Sequence, residues 1–191
     1  MTYAPLADRL WTQSAGSSML RKGALVLLGS LVIAAAAQVN VPMQPVPMTL
    51  QTLAVLSVGA ALGARLGVAA LVLYVLEAAV GLPVLAEMKS GLPTLLGPTG
   101  GYILGFVLAA GLVGYLAERG FDRSMPRMML AMLLGAALIY VPGLLWLSGF
   151  VGGFGQAITF GLTPFVLGDI VKAVIAAIAF PAVWKWIGEA R

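Results

Sequence analysis

Long apolar runs, broken by short clusters of proline, glycine and charge, dominate this chain. The first run is Gly23–Val39, entered through Arg21 and Lys22. Val41-Pro42-Met43-Gln44-Pro45-Val46-Pro47 follows, and prolines at this density cannot continue a helix. The second run, about Leu50–Leu62, ends in the turn-like Gly63-Ala64-Arg65-Leu66-Gly67, and the third covers about Val68–Val80. A glycine- and proline-rich stretch, Gly81–Gly100, separates it from the fourth run, about Gly101–Ala117. Charges gather in Glu118–Arg127 before the fifth run, about Met128–Trp146, which Pro142-Gly143 is expected to bend or end. After the glycine-rich Ser148–Thr163 comes the sixth, about Pro164–Ile187, with Thr163 placed to cap it and Pro164 at the first helical position.

This pattern predicts an all-α integral membrane protein with a bundle of six transmembrane helices. A spanning helix needs about 20 apolar residues, so the second and third runs are near the lower limit and are expected to tilt or to be partly re-entrant. The expected organisation is a polar tail, 1–20, and one membrane domain, 21–191. Composition agrees. Only 9% of the 191 residues are charged, against about 25% in soluble domains, and the mean hydropathy is +1.02.

The net charge of +4 is explained by where the cations stand. With the N-terminus inside, Arg9, Arg21, Lys22, Arg65, Arg119, Arg123, Arg127, Lys185 and Arg191 all fall on the cytoplasmic side, leaving only Lys89 and Lys172 elsewhere. That obeys the positive-inside rule and implies an even helix number with both termini cytoplasmic. It also makes nucleic acid an unneeded explanation for the basic charge. The chain contains no cysteine and no histidine, which excludes disulfides, thiol catalysis and histidine metal sites. No P-loop sequence occurs, so no ATP hydrolysis of that kind is expected from this chain.

Ionisable groups inside a membrane are costly and mark function. Glu77, Asp169 and Lys172 qualify, and the topology puts them at a similar depth near the outer surface. Asp169 and Lys172, spaced i, i+3, share a helix face. They read either as a structural pair or as a ligand site into which a small molecule inserts. Gln51 and Thr52 open the second helix, Tyr74 lies one turn below Glu77, Tyr102 opens the fourth helix, and Tyr140 and Trp146 lie toward the outer end of the fifth. Together they suggest a mostly apolar pocket with a few polar groups. The outer segments 40–49 and 81–100 are candidate lids. Within them Lys89 can reach over the pocket, and Gly100 can let backbone approach a ligand. Small residues recur at four-residue spacing, as in Gly59, Gly63 and Gly67, or Ser30 and Ala34. Such spacing allows close helix approach in lipid, and the Ser30–Ala34–Ala37 stripe is the candidate face for another membrane protein.

Several stretches resemble one family. Pro45-Val46-Pro47-Met48-Thr49-Leu50-Gln51-Thr52-Leu53, Gly81-Leu82-Pro83-Val84, Gly97-Pro98-Thr99-Gly100-Gly101-Tyr102 and Gly168-Asp169-Ile170-Val171-Lys172 are similar, in order and spacing, to BioY proteins. These are the biotin-specific substrate-capture (S) subunits of energy-coupling factor (ECF) transporters. The resemblance implies the six-helix S-component fold in a bacterial cytoplasmic membrane. It implies biotin as transported ligand, no cofactor and no enzymatic activity, with Asp169 and Lys172 as biotin contacts. It further implies an ECF transmembrane coupling protein and ABC-type ATPases as partners, for which the Ser30–Ala34–Ala37 stripe read from residue spacing is the expected docking face. A different vitamin, a solitary transporter, a small membrane enzyme using Glu77 and Asp169 as acid and base, and a purely structural partner are the competing readings.

Overall fold

The computed structural model describes residues 3–7 and 18–188, with Ser18 described by its backbone alone. Arg9 and Arg191 lie outside the described residues. The elements are α1 (Ser18–Gln38), a two-residue hairpin of β1 (Asn40–Val41) and β2 (Met48–Thr49), α2 (Gln51–Ala79), α3 (Gly91–Leu95), α4 (Gly100–Ala117), α5 (Met125–Leu147), α6 (Phe154–Gly161) and α7 (Val166–Trp186). Five of them, α1, α2, α4, α5 and α7, are long and apolar enough to cross a membrane. Their outward sides carry large apolar residues such as Leu27, Leu31, Leu104, Leu145 and Ile175. Lipid accepts these, and a helix pairs its interior backbone groups within itself.

α2 is two antiparallel limbs rather than one rod. Gly63 takes φ 79° and ψ 173°, a conformation open to glycine, and the chain doubles back there. Gln51 and Tyr74, which an unbroken helix would hold more than 30 Å apart at about 1.5 Å per residue, are hydrogen-bonded at 2.8 Å. Gly59 and Gly67 meet across the hairpin: a Cβ on Gly67 would stand 2.9 Å from the Gly59 Cα. The limbs extend along α4, with Gly59 against Ala110, and with Ala64 close enough to Gly114 that a Cβ there would lie 2.5 Å from the Ala64 nitrogen. The expected five-residue turn is therefore a single-residue reversal, because Gly67 is needed for packing and not for turning.

Four further expectations change. α5 runs unbroken through Pro142 to Leu147; proline is tolerated in membrane helices where neighbours and local adjustment compensate the lost hydrogen bond. The glycine-rich stretch after it holds a helix of its own, α6. Thr163 does not cap α7, which starts at Val166; its hydroxyl donates back to the Ile158 carbonyl at 3.1 Å. α1 also starts earlier than its apolar run, at Ser18.

The ends of α4 and α7 farthest from Gly100 and Val166 form a polar, cation-rich cap. Tyr3 N donates to the Glu118 carbonyl at 2.6 Å, and Ala64 N donates to the Glu118 carboxylate at 2.9 Å. The Arg123 guanidinium stands 4.3 Å from the Tyr3 ring centroid and 4.1 Å from that of Trp184. Trp184 Nε1 donates to Asp122 Oδ2 at 2.7 Å, both residues being fully buried.

Burial pushes the Asp122 carboxyl above the usual carboxylate range, against the opposite pull of the Trp184 N–H and Arg123. The folded chain thus holds this proton more tightly than the unfolded one. The associated stability is present below the unfolded value, roughly 4, and is lost as pH rises through the raised folded value. Melting temperature of Asp122→Asn, measured across that window, is expected to lack this share of the slope; an unchanged slope would reject it.

Candidate small-molecule site

At the opposite end the first turns of α2, α4 and α7 converge with the upper part of α5 around a cavity of about 380 Å³. This is within the range of small-molecule sites. Its floor comes from α7. Asp169 stands in the first turn, where the helix dipole favours an anion, and Lys172 lies one turn on along the same face.

Both side chains are buried and form an ion pair at 3.1 Å. Lys172 Nζ also donates to Thr52 Oγ1 at 2.7 Å, and Thr52 Oγ1 in turn donates to Asp169 Oδ1 at 3.1 Å. The Tyr140 hydroxyl donates to Asp169 Oδ2. The carboxylate therefore receives three donors, while the ammonium uses two of its three protons. A buried pair is tolerable in such surroundings because its remaining polar capacity is hydrogen-bonded.

The walls are apolar and aromatic. Tyr102, Ile103 and Phe106 rise from α4, Ile139 comes from α5 and Phe165 precedes α7. Tyr102 meets Tyr140 edge-on, with centroids 6.3 Å apart, and its hydroxyl donates to the Gly161 carbonyl at 2.9 Å. Two connecting segments complete the enclosure: Pro45, Val46, Pro47 and Thr49 on one side, and Leu85, Ala86, Lys89, Pro93, Thr94, Gly97, Pro98 and Thr99, a stretch that includes α3, on the other. Lys89 is paired with Glu87 at 2.6 Å.

The structure thus brings Asp169, Lys172, Gln51, Lys89 and Tyr102 to the cavity wall, together with Thr52 and Tyr140. It does not bring Glu77, Tyr74, Gly100 or Trp146 there. Glu77 turns toward α1 and accepts the Ser30 hydroxyl. The direction of the side chain around its helix was not readable from sequence. Tyr74 is fully buried behind Gln51. Gly100 packs against the Leu95 carbonyl, and Trp146 holds the 97–100 turn from outside, its Nε1 donating to the Gly97 carbonyl at 2.9 Å.

Ser30 and Ala37 are fully buried within this chain, so the expected outward stripe on α1 faces inward, with Ala34 only partly exposed. Ile103, Phe106, Ile139 and Phe165 were not anticipated. Phe106 stands four residues after Tyr102 and Phe165 four before Asp169. That helical spacing was the available signal for both.

These features define a class: a polytopic membrane protein whose helices end around a small, mostly apolar cavity floored by a buried ion pair. The BioY family profile matches residues 9–189, and the chain belongs to the BioY family, one of transporters rather than enzymes. It is 40% identical over 147 residues to a protein of Thermotoga maritima named biotin transporter BioY, covering 77% of this chain and 86% of that one. It is 40% identical over 154 residues to a probable biotin transporter BioY of Pyrococcus horikoshii, covering 81% and 90%. A solved structure described as the S-component for biotin from an ECF-type ABC transporter shares the fold. Its TM-score is 0.79 over 91% of this chain and 95% of that one, at 23% identity.

Proposed function

We propose that this chain captures biotin at the outer face of a bacterial cytoplasmic membrane and delivers it through an ECF-type transporter. The observation that carries the reading is the Asp169–Lys172 pair, braced by Thr52 and Tyr140, at the floor of an apolar cavity in a BioY-family chain. Biotin combines an apolar thiophane ring with a ureido group, which has N–H donors and a carbonyl acceptor, and a carboxylate tail. The floor offers a matching set: a third Lys172 proton and the remaining lone-pair capacity of Asp169. Gln51, Lys89 and Tyr102 add polar groups around an apolar wall, and the segments 40–49 and 81–100 act as lids.

Topology follows from the same picture. Each limb of α2 makes its own pass, giving six, with both termini in the cytoplasm. This is supported by Arg21, Lys22, Arg65, Arg119, Arg123, Arg127 and Lys185, which belong to the end away from the cavity. The partners are a transmembrane coupling protein and ABC-type ATPases. α1 is the least covered of the five long helices and is the docking helix, through its outward side at Leu27, Leu31 and Ala35 beside Ala34, since Ser30 and Ala37 are buried in this chain.

The test is mass spectrometry of the small molecule that copurifies with detergent-solubilised protein from cells grown with biotin. Biotin at close to one per chain is expected. A different vitamin, or no ligand together with no binding of added biotin, ends the proposal.

A further inference from the structure

Tyr74 is a fully buried phenol with no surface on the cavity, yet its hydroxyl stands between Gln51, which lines the cavity, and Val84, whose neighbours Leu85 and Ala86 do. The hydroxyl donates to the Val84 carbonyl at 3.1 Å and receives Gln51 Nε2 at 2.8 Å. The directions are forced. A carbonyl oxygen only accepts, so the single phenolic proton is used on Val84. Tyr74 must then accept from Gln51, and only the NH2 end of a carboxamide donates. The Gln51 amide is therefore locked with Oε1 turned away from Tyr74. Besides a long 3.5 Å approach from the Thr49 hydroxyl, no hydrogen bond occupies that oxygen among the described residues. Gln51 is itself nearly buried and lines the cavity.

We infer that Tyr74 is a positioning residue: it holds the Gln51 carboxamide as a hydrogen-bond acceptor at the cavity wall, selecting a ligand that presents an N–H, and does so only while the 81–90 segment is seated. The second part follows from Val84. Its neighbours Leu85 and Ala86 form cavity wall, and Gln38 ties the same stretch down, Nε2 donating to the Leu85 carbonyl at 3.0 Å and Met88 N donating to Gln38 Oε1 at 3.1 Å. When this stretch lifts, Tyr74 loses its acceptor. Its proton can then turn to Gln51 Oε1, after rotation of the amide. The seated segment and the acceptor at the wall thus form together, linking closure to recognition. Glu77 lies one turn on from Tyr74, but its carboxylate is engaged by Ser30 on α1.

This inference rests on the cavity being the capture site, and two measurements separate its fate from that reading. The first uses biotin as probe. Tyr74→Phe keeps the buried ring and is expected to raise Kd roughly tenfold, the loss of about one buried hydrogen bond. In a Gln51→Leu background the same change is expected to alter Kd by less than about twofold, because Tyr74 acts through Gln51. Equal losses in both backgrounds overturn the inference.

The second measurement needs no ligand. With glutamine side chains labelled by nitrogen-15 and Gln51 assigned through Gln51→Leu, its amide protons are expected to exchange slowly with water in the unaltered chain and fast in Tyr74→Phe. Equal exchange rates overturn the inference. If the unaltered chain fails to bind biotin, the proposed function falls while the exchange result still decides the role of Tyr74.

Discussion

Asp169→Ala is expected to weaken biotin binding by at least about a hundredfold and to lower the melting temperature of the ligand-free protein at the same time. Removing the carboxylate takes three hydrogen bonds from the floor and leaves Lys172 buried with Thr52 as its remaining bonded partner among the described residues. Stranding one member of a buried pair costs about 3–5 kcal/mol. That cost alone does not prove a binding role, so the informative comparison is the double variant. Asp169→Ala combined with Lys172→Ala removes both charges, and apolar replacement of a whole buried pair is often close to neutral for stability. The double variant is therefore expected to recover much of the melting temperature and none of the affinity. Labelled-biotin titration and thermal unfolding in the same detergent distinguish the cases. Affinity within about threefold of the unaltered chain in the double variant would mean that the pair is structural and the ligand sits elsewhere.

The second large effect is expected at Gly59→Ala, a change of one carbon. The new Cβ would lie 2.5 Å from the Ala110 carbonyl oxygen and 2.9 Å from the Ala110 Cα, and these are backbone atoms that cannot rotate away. The α2 hairpin and α4 must separate, while Gly67 presses on the same spot from the other limb. Overpacking of this kind costs about 1–3 kcal/mol, which for a chain of this length is a fall of roughly 3–10 °C in melting temperature. Gly23→Ala is the control. Nothing lies within 4 Å of a Cβ there, and in a helix alanine is favoured over glycine by about 1 kcal/mol. A chain that tolerates both changes equally would refute the close approach of α2 and α4.

The two predictions differ in how far each was readable in advance. The Asp169–Lys172 pair was visible as i, i+3 charges inside an apolar run, because a membrane makes any such charge conspicuous. Its supports were not. Thr52 is separated from Asp169 by 117 residues and Tyr140 by 29, and nothing local in sequence joins them. Gly59 was visible as one of several glycines at four-residue spacing. Such spacing announces a close approach without naming the surface approached, and the same ambiguity explains Ser30 and Ala37. Small residues on α1 signalled tight packing, and the packing turned out to be against this chain's own α2, with Ser30 donating to Glu77.

What the sequence by itself determined is what the lipid environment enforces: apolar runs of spanning length, the breaks between them, the gathering of cations toward one end, and the few charges costly enough to need a purpose. These depend on composition along the chain and on the need of each backbone group for an internal partner. The tertiary structure alone decided which way each polar side chain turns. Tyr74 and Glu77 are one helical turn apart, yet one stands behind the cavity wall and the other faces α1. That choice depends on which helices lie beside the second limb of α2, and so on the reversal at Gly63 that brings Gln51 back against Tyr74.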